Sequence, residues 1–226
     1  MQRPAGDVVG LGLVPRLLRW LLRAILSMLF RFDVRGLEHL PSERYIVAAN
    51  HPSWLETLTL VAFLPARHGL RVLASGAVTV DVDRRRWLLE LADVILPFHL
   101  DSGSEARAAI RHAVDLLKRG SSIGIFPENL TIPTDPEGHL RPLRRGVAML
   151  ARVSGVPVVP VGIADTRQLW LRRRIRLNVG EPLAPPADRR EDEAFLARLA
   201  ERIEALRPPR EPLPRRRHWT WLSRLF

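Results

Sequence analysis

The most informative part of the chain is YIVAANHPSWLE, residues 45–56. Its first five residues, Tyr45 to Ala49, are apolar and predict a short buried strand. Polar side chains follow at once, beginning with Asn50 and His51. Because Pro52 is favoured at the first position of a helix, the stretch predicts a strand, a polar turn and a helix in that order.

A second stretch of the same form, SSIGIFPEN, occupies residues 121–129. Ser122 to Phe126 predicts another short apolar strand, and Glu128 and Asn129 come directly after it. If the two strands are parallel, both polar clusters lie at carboxyl ends and therefore at one edge of the sheet. Open α/β sheets bind their ligands at that edge, so we predict a functional site there.

Strand-like and helix-like segments alternate along the rest of the chain. Further elements are predicted at 104–119, 147–153, 156–163, 174–179 and 195–206. Pro157 and Pro160 favour an edge position or a bulge for the strand that contains them. The alternation favours an α/β fold with a mixed, mainly parallel sheet of about seven strands, flanked by helices.

Composition narrows the class of protein. The chain has 226 residues, 46% of them hydrophobic, which fits one large domain with appendages. It has no cysteine, which excludes disulfides, thiolate metal sites and a cysteine nucleophile. The net charge of +11 is compatible with an anionic partner. Nucleic acid is not favoured as that partner, because no basic face with interleaved aromatic residues is present.

The amino-terminal segment, residues 1–32, is predicted to carry an amphipathic helix. From residue 11 to 32 the chain is apolar except for Ser27 and four arginines, which fall within an arc of roughly 120° on a helix; these are Arg16, Arg19, Arg23 and Arg31. The longest charge-free run is too short to span a bilayer, so we predict a helix that lies on a membrane surface. The alternative is a helix docked on the protein's own core.

The carboxyl-terminal segment, residues 208–226, differs from the predicted central domain, residues 33–207. It begins with prolines and continues into Arg215-Arg216-Arg217, followed by Trp219 and Trp221. Basic residues beside tryptophans suit a second contact with a membrane surface. A solvated, disordered tail is the alternative.

His51 and Glu56 are candidates for a general base and the carboxylate that orients it. On one continuous helix, residues five positions apart point about 140° away from each other. We therefore expect His51 to lie just outside the helix, where the Glu56 carboxylate can reach the ring. The alternative is that both are ordinary polar residues at a helix end.

The chain resembles the phospholipid/glycerol acyltransferase family, which includes the lysophosphatidate acyltransferases. The resemblance spans roughly residues 34–182 and is carried by GLEHLP (36–41), NHPSWLE (50–56), FPE (126–128), PLRRG (142–146) and VPVVPV (156–161). The second segment is similar to the family motif of His, four residues and Asp. The third is similar to the start of Phe-Pro-Glu-Gly-Thr-Arg.

This resemblance implies an α/β enzyme that moves an acyl group from acyl-CoA or acyl carrier protein to a lipid hydroxyl, without a metal or another cofactor. His51 would be the general base, and Glu56 would orient it. Substrate-binding candidates are Ser53, Glu128, Asn129, Arg144 and Arg145. The expected partners are the acyl donor, a lipid acceptor and the cytoplasmic face of a membrane, to which the protein would bind peripherally.

Three departures from the family pattern affect this expectation. Glu56 stands where the family has Asp, and Asn129-Leu130-Thr131 stands where Gly-Thr-Arg is expected. The segment 92–99, which corresponds to a motif ending in arginine, offers only His99. Because arginine suits phosphate, we expect a neutral or zwitterionic acceptor instead of plain lysophosphatidate. The alternative function is a lipid-binding relative without catalysis.

Overall fold

A computed structural model describes residues 13–51, 53, 55–65, 69–75, 95–98, 103–129 and 139–209. Within them, seven strands form one sheet. The strands are β1 (Arg31–Arg35), β2 (Ile46–Ala49), β3 (Leu70–Ser75), β4 (Ile95–Phe98), β5 (Ser122–Ile125), β6 (Val158–Ala164) and β7 (Arg174–Val179). The helices are α1 (Leu13–Leu29), α2 (Leu55–Phe63), α3 (Gly103–Lys118), α4 (Gly146–Ser154) and α5 (Asp192–Leu206), with 3-10 turns at Leu37–His39 and Arg189–Glu191.

The spatial order of the described strands is β1-β7-β6-β2-β5-β3-β4. Neighbouring strands are parallel except for β6 and β7, which run antiparallel. The predicted mixed, mainly parallel sheet with flanking helices is therefore confirmed. The predicted division into residues 1–32, 33–207 and 208–226 stays a prediction, and 210–226, His99 and Leu130-Thr131 lie outside the described residues.

The apolar run of β2 is explained by helices on both faces of the sheet. Ile46 and Ala48 belong to a buried cluster with side chains of α3, α4 and α5. Val47 and Ala49 belong to a second cluster, which includes Leu60 of α2. Because successive side chains of a strand point to opposite faces, a strand covered on both sides must be apolar throughout.

Pro160 within β6 and Pro157 just before it do not put this strand at an edge, so the expected edge position is wrong. The strand lies between β7 and β2, inside the sheet. The carbonyl of Pro160 accepts a hydrogen bond from the Gly180 N–H at 2.9 Å, on the side of β7. The missing N–H of Pro160 faces the same side, and the ladder with β7 begins only at Val161. Pro160 thus lies opposite Gly180 at the end of this ladder, and its missing N–H removes at most one hydrogen bond.

Helix α1 lies within the segment predicted to form an amphipathic helix and packs against α2. Leu26 and Phe30 are buried in a cluster that includes Phe63 of α2. Two of its arginines also lie against α2: Arg19 donates to the carbonyl of Leu64, and Arg23 lies over the Phe63 ring, 5.2 Å from its centre. A cation is favourable at the carboxyl end of a helix, where carbonyl groups lack partners.

The opposite side of α1 exposes apolar side chains. We call them the apolar stripe; they are Leu17, Trp20, Leu21, Ile25 and Met28. Met28 is 75% exposed and Trp20 66%. One side of the helix therefore docks on the protein, the other side is uncovered, and its placement on a membrane surface stays a prediction. No helix in the described part of the chain is both long and apolar enough to cross a bilayer.

The segment GLEHLP makes the turn that follows β1. Gly36 has a left-handed φ of 77°, and a Cβ there would overlap the carbonyl oxygen of Val179. The ring nitrogen Nδ1 of His39 lies 2.9 Å from that same oxygen. Only glycine fits both the backbone conformation and the close approach. This segment thus fixes the turn to the end of β7.

Candidate active site

The two polar clusters lie at the same edge of the sheet, as predicted. Strands β2 and β5 are parallel neighbours in register from Ile46 and Ile123 onward, so Asn50 and Phe126 leave the sheet side by side. Strand β6 is parallel to β2 on its other side and also ends there, at Ala164. We call this the active-site edge.

Asn50 fixes the backbone from which His51 extends. Its side-chain amide donates to the Ile163 carbonyl at 2.9 Å, and its Oδ1 accepts from the Ile163 N–H at 2.7 Å. Asn50 is buried, so both polar groups of its amide need such partners. This paired contact fastens the end of β2 to the end of β6.

The ring of His51 lies between an aromatic ring and a carboxylate. It stacks on Phe126 with 4.3 Å between ring centres and 22° between ring planes. Its Nδ1 lies 3.4 Å from Oε2 of Glu56. At this distance the ring nitrogen does not complete a hydrogen bond with the carboxylate. Contacts between catalytic groups are often long before substrate binds, so this geometry is compatible with a base and its orienting acid.

Glu56 is fully buried in the first turn of α2. Its Oε2 accepts the backbone N–H of Ser53 at 2.7 Å, and the Ser53 hydroxyl lies 3.2 Å from its Oε1. A Ser followed three residues later by a Glu that bonds back to its N–H is a capping box. The carboxylate therefore also stabilises the start of α2, where a negative charge is favourable.

Ser53 uses its hydroxyl in the same local structure. The hydroxyl lies 3.1 Å from the Thr166 carbonyl and accepts the Leu55 N–H at 3.3 Å. Its single hydrogen serves either the Glu56 carboxylate or this carbonyl. The structure thus places Ser53 in the helix cap, and its predicted contact with substrate stays a prediction.

Glu128 is directed to backbone groups instead of the His51 ring. Its Oε1 accepts the His51 N–H at 2.6 Å, and its Oε2 accepts the Arg141 N–H at 3.3 Å. The residue is only 8% exposed. One buried carboxylate therefore holds together the turn that carries His51, the loop after β5 and the segment before α4. The predicted role of Glu128 in binding or positioning the acceptor stays a prediction.

Asn129 and Arg144 form a pair beside Glu128. Both Nε and one terminal nitrogen of Arg144 donate to Oδ1 of Asn129, at 3.2 and 2.8 Å. Backbone bonds from Asn129 to Pro142 and from Arg144 to Pro127 hold the two segments together. Arg145 follows, exposed at the start of α4. The structure thus brings the predicted site residues to connected segments near one edge.

Asn50 and Phe126 stand within the two sequence motifs, but the motifs alone predict no role for them. The signals were present, since a polar amide follows a buried strand directly and an aromatic ring precedes the acidic turn. In the described part of the chain, no three His, Asp or Glu side chains are grouped so that they could hold a metal ion.

A family model described as Acyltransferase matches residues 31–164 of the chain. The match covers more than half of the protein and includes the His51 turn, the loop after β5 and the segment of Arg144 and Arg145. The chain therefore belongs to the acyltransferase family and is an acyltransferase.

Curated proteins similar to this chain carry a shared name. This chain is 28% identical over 167 residues to the 1-acyl-sn-glycerol-3-phosphate acyltransferase of Bacillus subtilis, and the match covers 72% of this chain and 78% of that protein. It is 30% identical over 155 residues to the enzyme of that name from Pseudomonas aeruginosa, covering 67% and 55%. The human enzyme named with the suffix alpha is 28% identical over 156 residues, covering 67% and 52%. The chain thus matches about half the length of the latter two proteins.

The fold is similar to a solved structure. The crystal structure of the 1-acyl-sn-glycerophosphate acyltransferase PlsC from Thermotoga maritima superimposes with a TM-score of 0.63 and 22% sequence identity. The similarity covers 87% of this chain and 81% of the other. At this identity the comparison supports the α/β fold.

Proposed function

We propose that this acyltransferase moves an acyl group from a thioester, carried by coenzyme A or acyl carrier protein, to a hydroxyl group of a membrane glycerolipid. The observation that carries the proposal is the His51 ring, held on Phe126 with Nδ1 3.4 Å from the buried Glu56 carboxylate. This pair has the composition of a general base and its orienting acid.

The chemistry requires one base that can also act as an acid. The Nε2 atom of His51, across the ring from Glu56, takes the proton of the acceptor hydroxyl as its oxygen attacks the thioester carbonyl. The carbon–sulfur bond then breaks, and the departing thiolate receives the proton from the imidazolium. The products are an ester and a free thiol, and the enzyme returns to its starting state. The Glu56 carboxylate stabilises the positive charge that the ring carries in between.

The acceptor that we propose is the lyso-form of a glycerolipid. The names of the similar proteins favour 1-acylglycerol 3-phosphate. The replacement of the expected arginine by Thr131 favours a neutral or zwitterionic headgroup instead. Arg144, oriented by Asn129 next to Glu128, belongs to the network that holds the His51 turn and is a cation suited to phosphate.

Peripheral association with the cytoplasmic face of a membrane is part of the proposal. It is supported by the exposed apolar stripe of α1, because apolar surface of this kind marks contacts with membranes or partners. Such a location would give the enzyme direct access to a lipid acceptor in the bilayer.

The proposal is tested by incubating the purified protein with acyl-CoA or acyl carrier protein donors and with competing lysolipids in mixed vesicles. Release of free thiol together with formation of a diacyl lipid is expected, and both should be lost in His51→Ala. A protein that binds these lipids but never cleaves a thioester would instead be a non-catalytic relative. Preference for lysophosphatidate over neutral lysolipids would overturn the expectation drawn from Thr131.

A further inference from the structure

An open cleft of about 620 Å³ lies outside the His51–Glu56 pair. It is lined by Arg31, Phe32, Asp33, Trp170, Arg172 and Arg174, and we call it the arginine cleft. The acyl-transfer proposal uses none of these residues. Three guanidinium groups around two aromatic rings form a surface suited to an anion attached to an apolar body.

The topology puts the arginine cleft at the active-site edge. Because β7 runs antiparallel to β6, it begins where β6 ends, and β1 is parallel to β7. Arg31 and Arg174, the first residues of β1 and β7, are partners in that ladder. Three strand spacings separate β1 from β2, which corresponds to roughly 14 Å. The cleft therefore opens at the same edge as His51 but well to one side of it.

The net charge of the cleft is positive. Among the described residues that line it, Asp33 is the one acid; it accepts a hydrogen bond from Arg174 at 2.7 Å and a forked pair from Arg35. The hydrogen bond from Arg35 lowers the pKa of Asp33, so this carboxylate stays ionised. Arg31 and Arg172 are both exposed. One acid does not neutralise three arginines, and the excess charge attracts an anion.

The cleft is joined to the apolar stripe of α1. The backbone N–H of Arg172 donates to the Leu29 carbonyl, and its side chain donates to the Ser27 carbonyl. Leu171, the preceding residue, is 56% exposed. Apolar side chains on α1 and at Leu171 thus lie next to the arginine cleft. This is the arrangement of a surface that inserts between lipid tails and contacts their headgroups.

We propose that the arginine cleft binds the phosphate of an anionic phospholipid of the bilayer into which the apolar stripe inserts. This inference rests on the membrane association proposed above and adds a defined headgroup site to it. Trp170, an aromatic residue with one polar group, suits the interface between headgroups and tails.

The bound lipid is not the reacting acceptor. In a glycerolipid only a few bonds separate the phosphate from the acceptor hydroxyl. A phosphate in the cleft, some 14 Å from the strand that carries His51, would keep that hydroxyl away from the base. The site therefore serves membrane binding and orientation, so it should affect binding to anionic vesicles more than turnover of acceptor in detergent.

The test compares three arginine-to-glutamine changes in the cleft, Arg31→Gln/Arg172→Gln/Arg174→Gln, with three elsewhere, Arg190→Gln/Arg198→Gln/Arg202→Gln. The control positions are exposed at or just before α5, which packs on the other face of the sheet. Flotation measures binding to phosphatidylcholine vesicles with and without phosphatidylglycerol. Each arginine near an anionic surface contributes about 1 kcal/mol, or roughly 5-fold, so the cleft variant should bind anionic vesicles roughly 100-fold more weakly than the control variant.

A single change, Arg31→Gln, guards against misfolding of the triple variant, because Arg172 and Arg174 also bond to Ser27 and Asp33. It should weaken binding to anionic vesicles roughly 5-fold and leave thiol release in detergent unchanged.

Equal losses in the cleft and control variants would overturn the inference. Displacement of vesicles by inorganic phosphate or glycerol 3-phosphate would also overturn it, because it would indicate a soluble ligand. If Trp20→Ser/Met28→Ser abolishes binding while the cleft variant binds normally, the inference fails and membrane association stands. Wild-type protein that binds no vesicle would overturn both.

Discussion

The first turn of α2, which follows β2, and the loop after β5 each bring one buried glutamate to the active-site edge, but the two carboxylates have different partners. Glu56 lies beside the His51 ring and bonds to Ser53. Glu128 bonds to the backbone N–H groups of His51 and Arg141. A glutamate thus lies beside the ring of His51 in one case and bonds to the backbone of His51 in the other. The role of a buried acid follows from the donors that face it.

Both carboxylates are buried, so these donors take the place of water as their hydrogen-bond partners. Burial of an ionised carboxylate is costly unless hydrogen bonds replace the lost water. The capping box provides them for Glu56, and backbone N–H groups from two separate segments provide them for Glu128. Glu56 is therefore a local feature of α2, whereas Glu128 joins parts of the chain that are distant in sequence.

The largest effect is expected from removing the base itself. His51→Ala should lower kcat by roughly 10³- to 10⁴-fold, because the acceptor hydroxyl loses its proton acceptor. Thiol release from acyl-CoA measures the rate. The matched control is His112→Ala, an exposed position on α3, which should leave the rate unchanged. Full activity in His51→Ala would remove the basis for treating the two glutamates as parts of a catalytic site.

Glu56→Gln should lower kcat by roughly 10²- to 10³-fold, since the ring loses the charge that stabilises its protonated form. Glutamine keeps an oxygen that can accept the Ser53 N–H but loses the charge favoured at the start of α2, so the unfolding free energy should fall by about 1 kcal/mol. Glu56→Asp keeps the charge but withdraws it by one bond of about 1.5 Å, and a loss of up to about 100-fold is expected. A rate equal to wild type in both variants would mean that the carboxylate serves only the helix cap.

Glu128→Gln should have a smaller effect on rate and a larger effect on stability. The neutral amide accepts weaker hydrogen bonds from His51 and Arg141, which should cost about 1–3 kcal/mol of unfolding free energy. We expect kcat to fall about 10-fold because the ring is less well positioned. Denaturant unfolding and steady-state kinetics separate the two effects. A stable variant with the catalytic loss of Glu56→Gln would place Glu128 at the reacting groups.

Asn129→Gly should have the smallest effect. It releases Arg144 from the oxygen that orients it, and a bond of this kind contributes about 0.5–1.5 kcal/mol. If Arg144 binds the acceptor headgroup, KM for an anionic acceptor should rise a few-fold at unchanged kcat. The same change in an Arg144→Gln background should then have no further effect. An additive loss would mean that Asn129 acts independently of Arg144.

Much of the active-site edge could be predicted because its signals are local. An apolar run followed at once by Asn50 and His51 identifies a buried strand and its end. Parallel pairing of β2 with β5 then places the polar residues that follow each strand at the same edge of the sheet. The capping box was also readable, since Ser53 and Glu56 have its spacing. The sequence does not show which hydrogen-bond acceptor the Ser53 side chain contacts, so its contact with the Thr166 carbonyl could not be predicted.

The partners of Glu128 could not be predicted for a different reason. His51 lies 77 residues before it, and their contact depends on how closely two loops approach after the sheet has formed. The position of β6 was predicted wrongly for a related reason. Pro160 lies opposite Gly180 at the end of the ladder with β7, so its missing N–H removes at most one hydrogen bond from a strand that is otherwise paired on both sides.

The junction between α1 and β1 has a consequence for how the molecule works on a surface. Only Phe30 separates the last residue of α1 from the first residue of β1, and Phe30 is buried. Because this link is a single residue, α1 has little freedom to rotate relative to the sheet. A bilayer that binds the helix would therefore also set the tilt of the sheet. The enzyme would then meet its lipids by diffusing in two dimensions with its reactive edge already turned toward them.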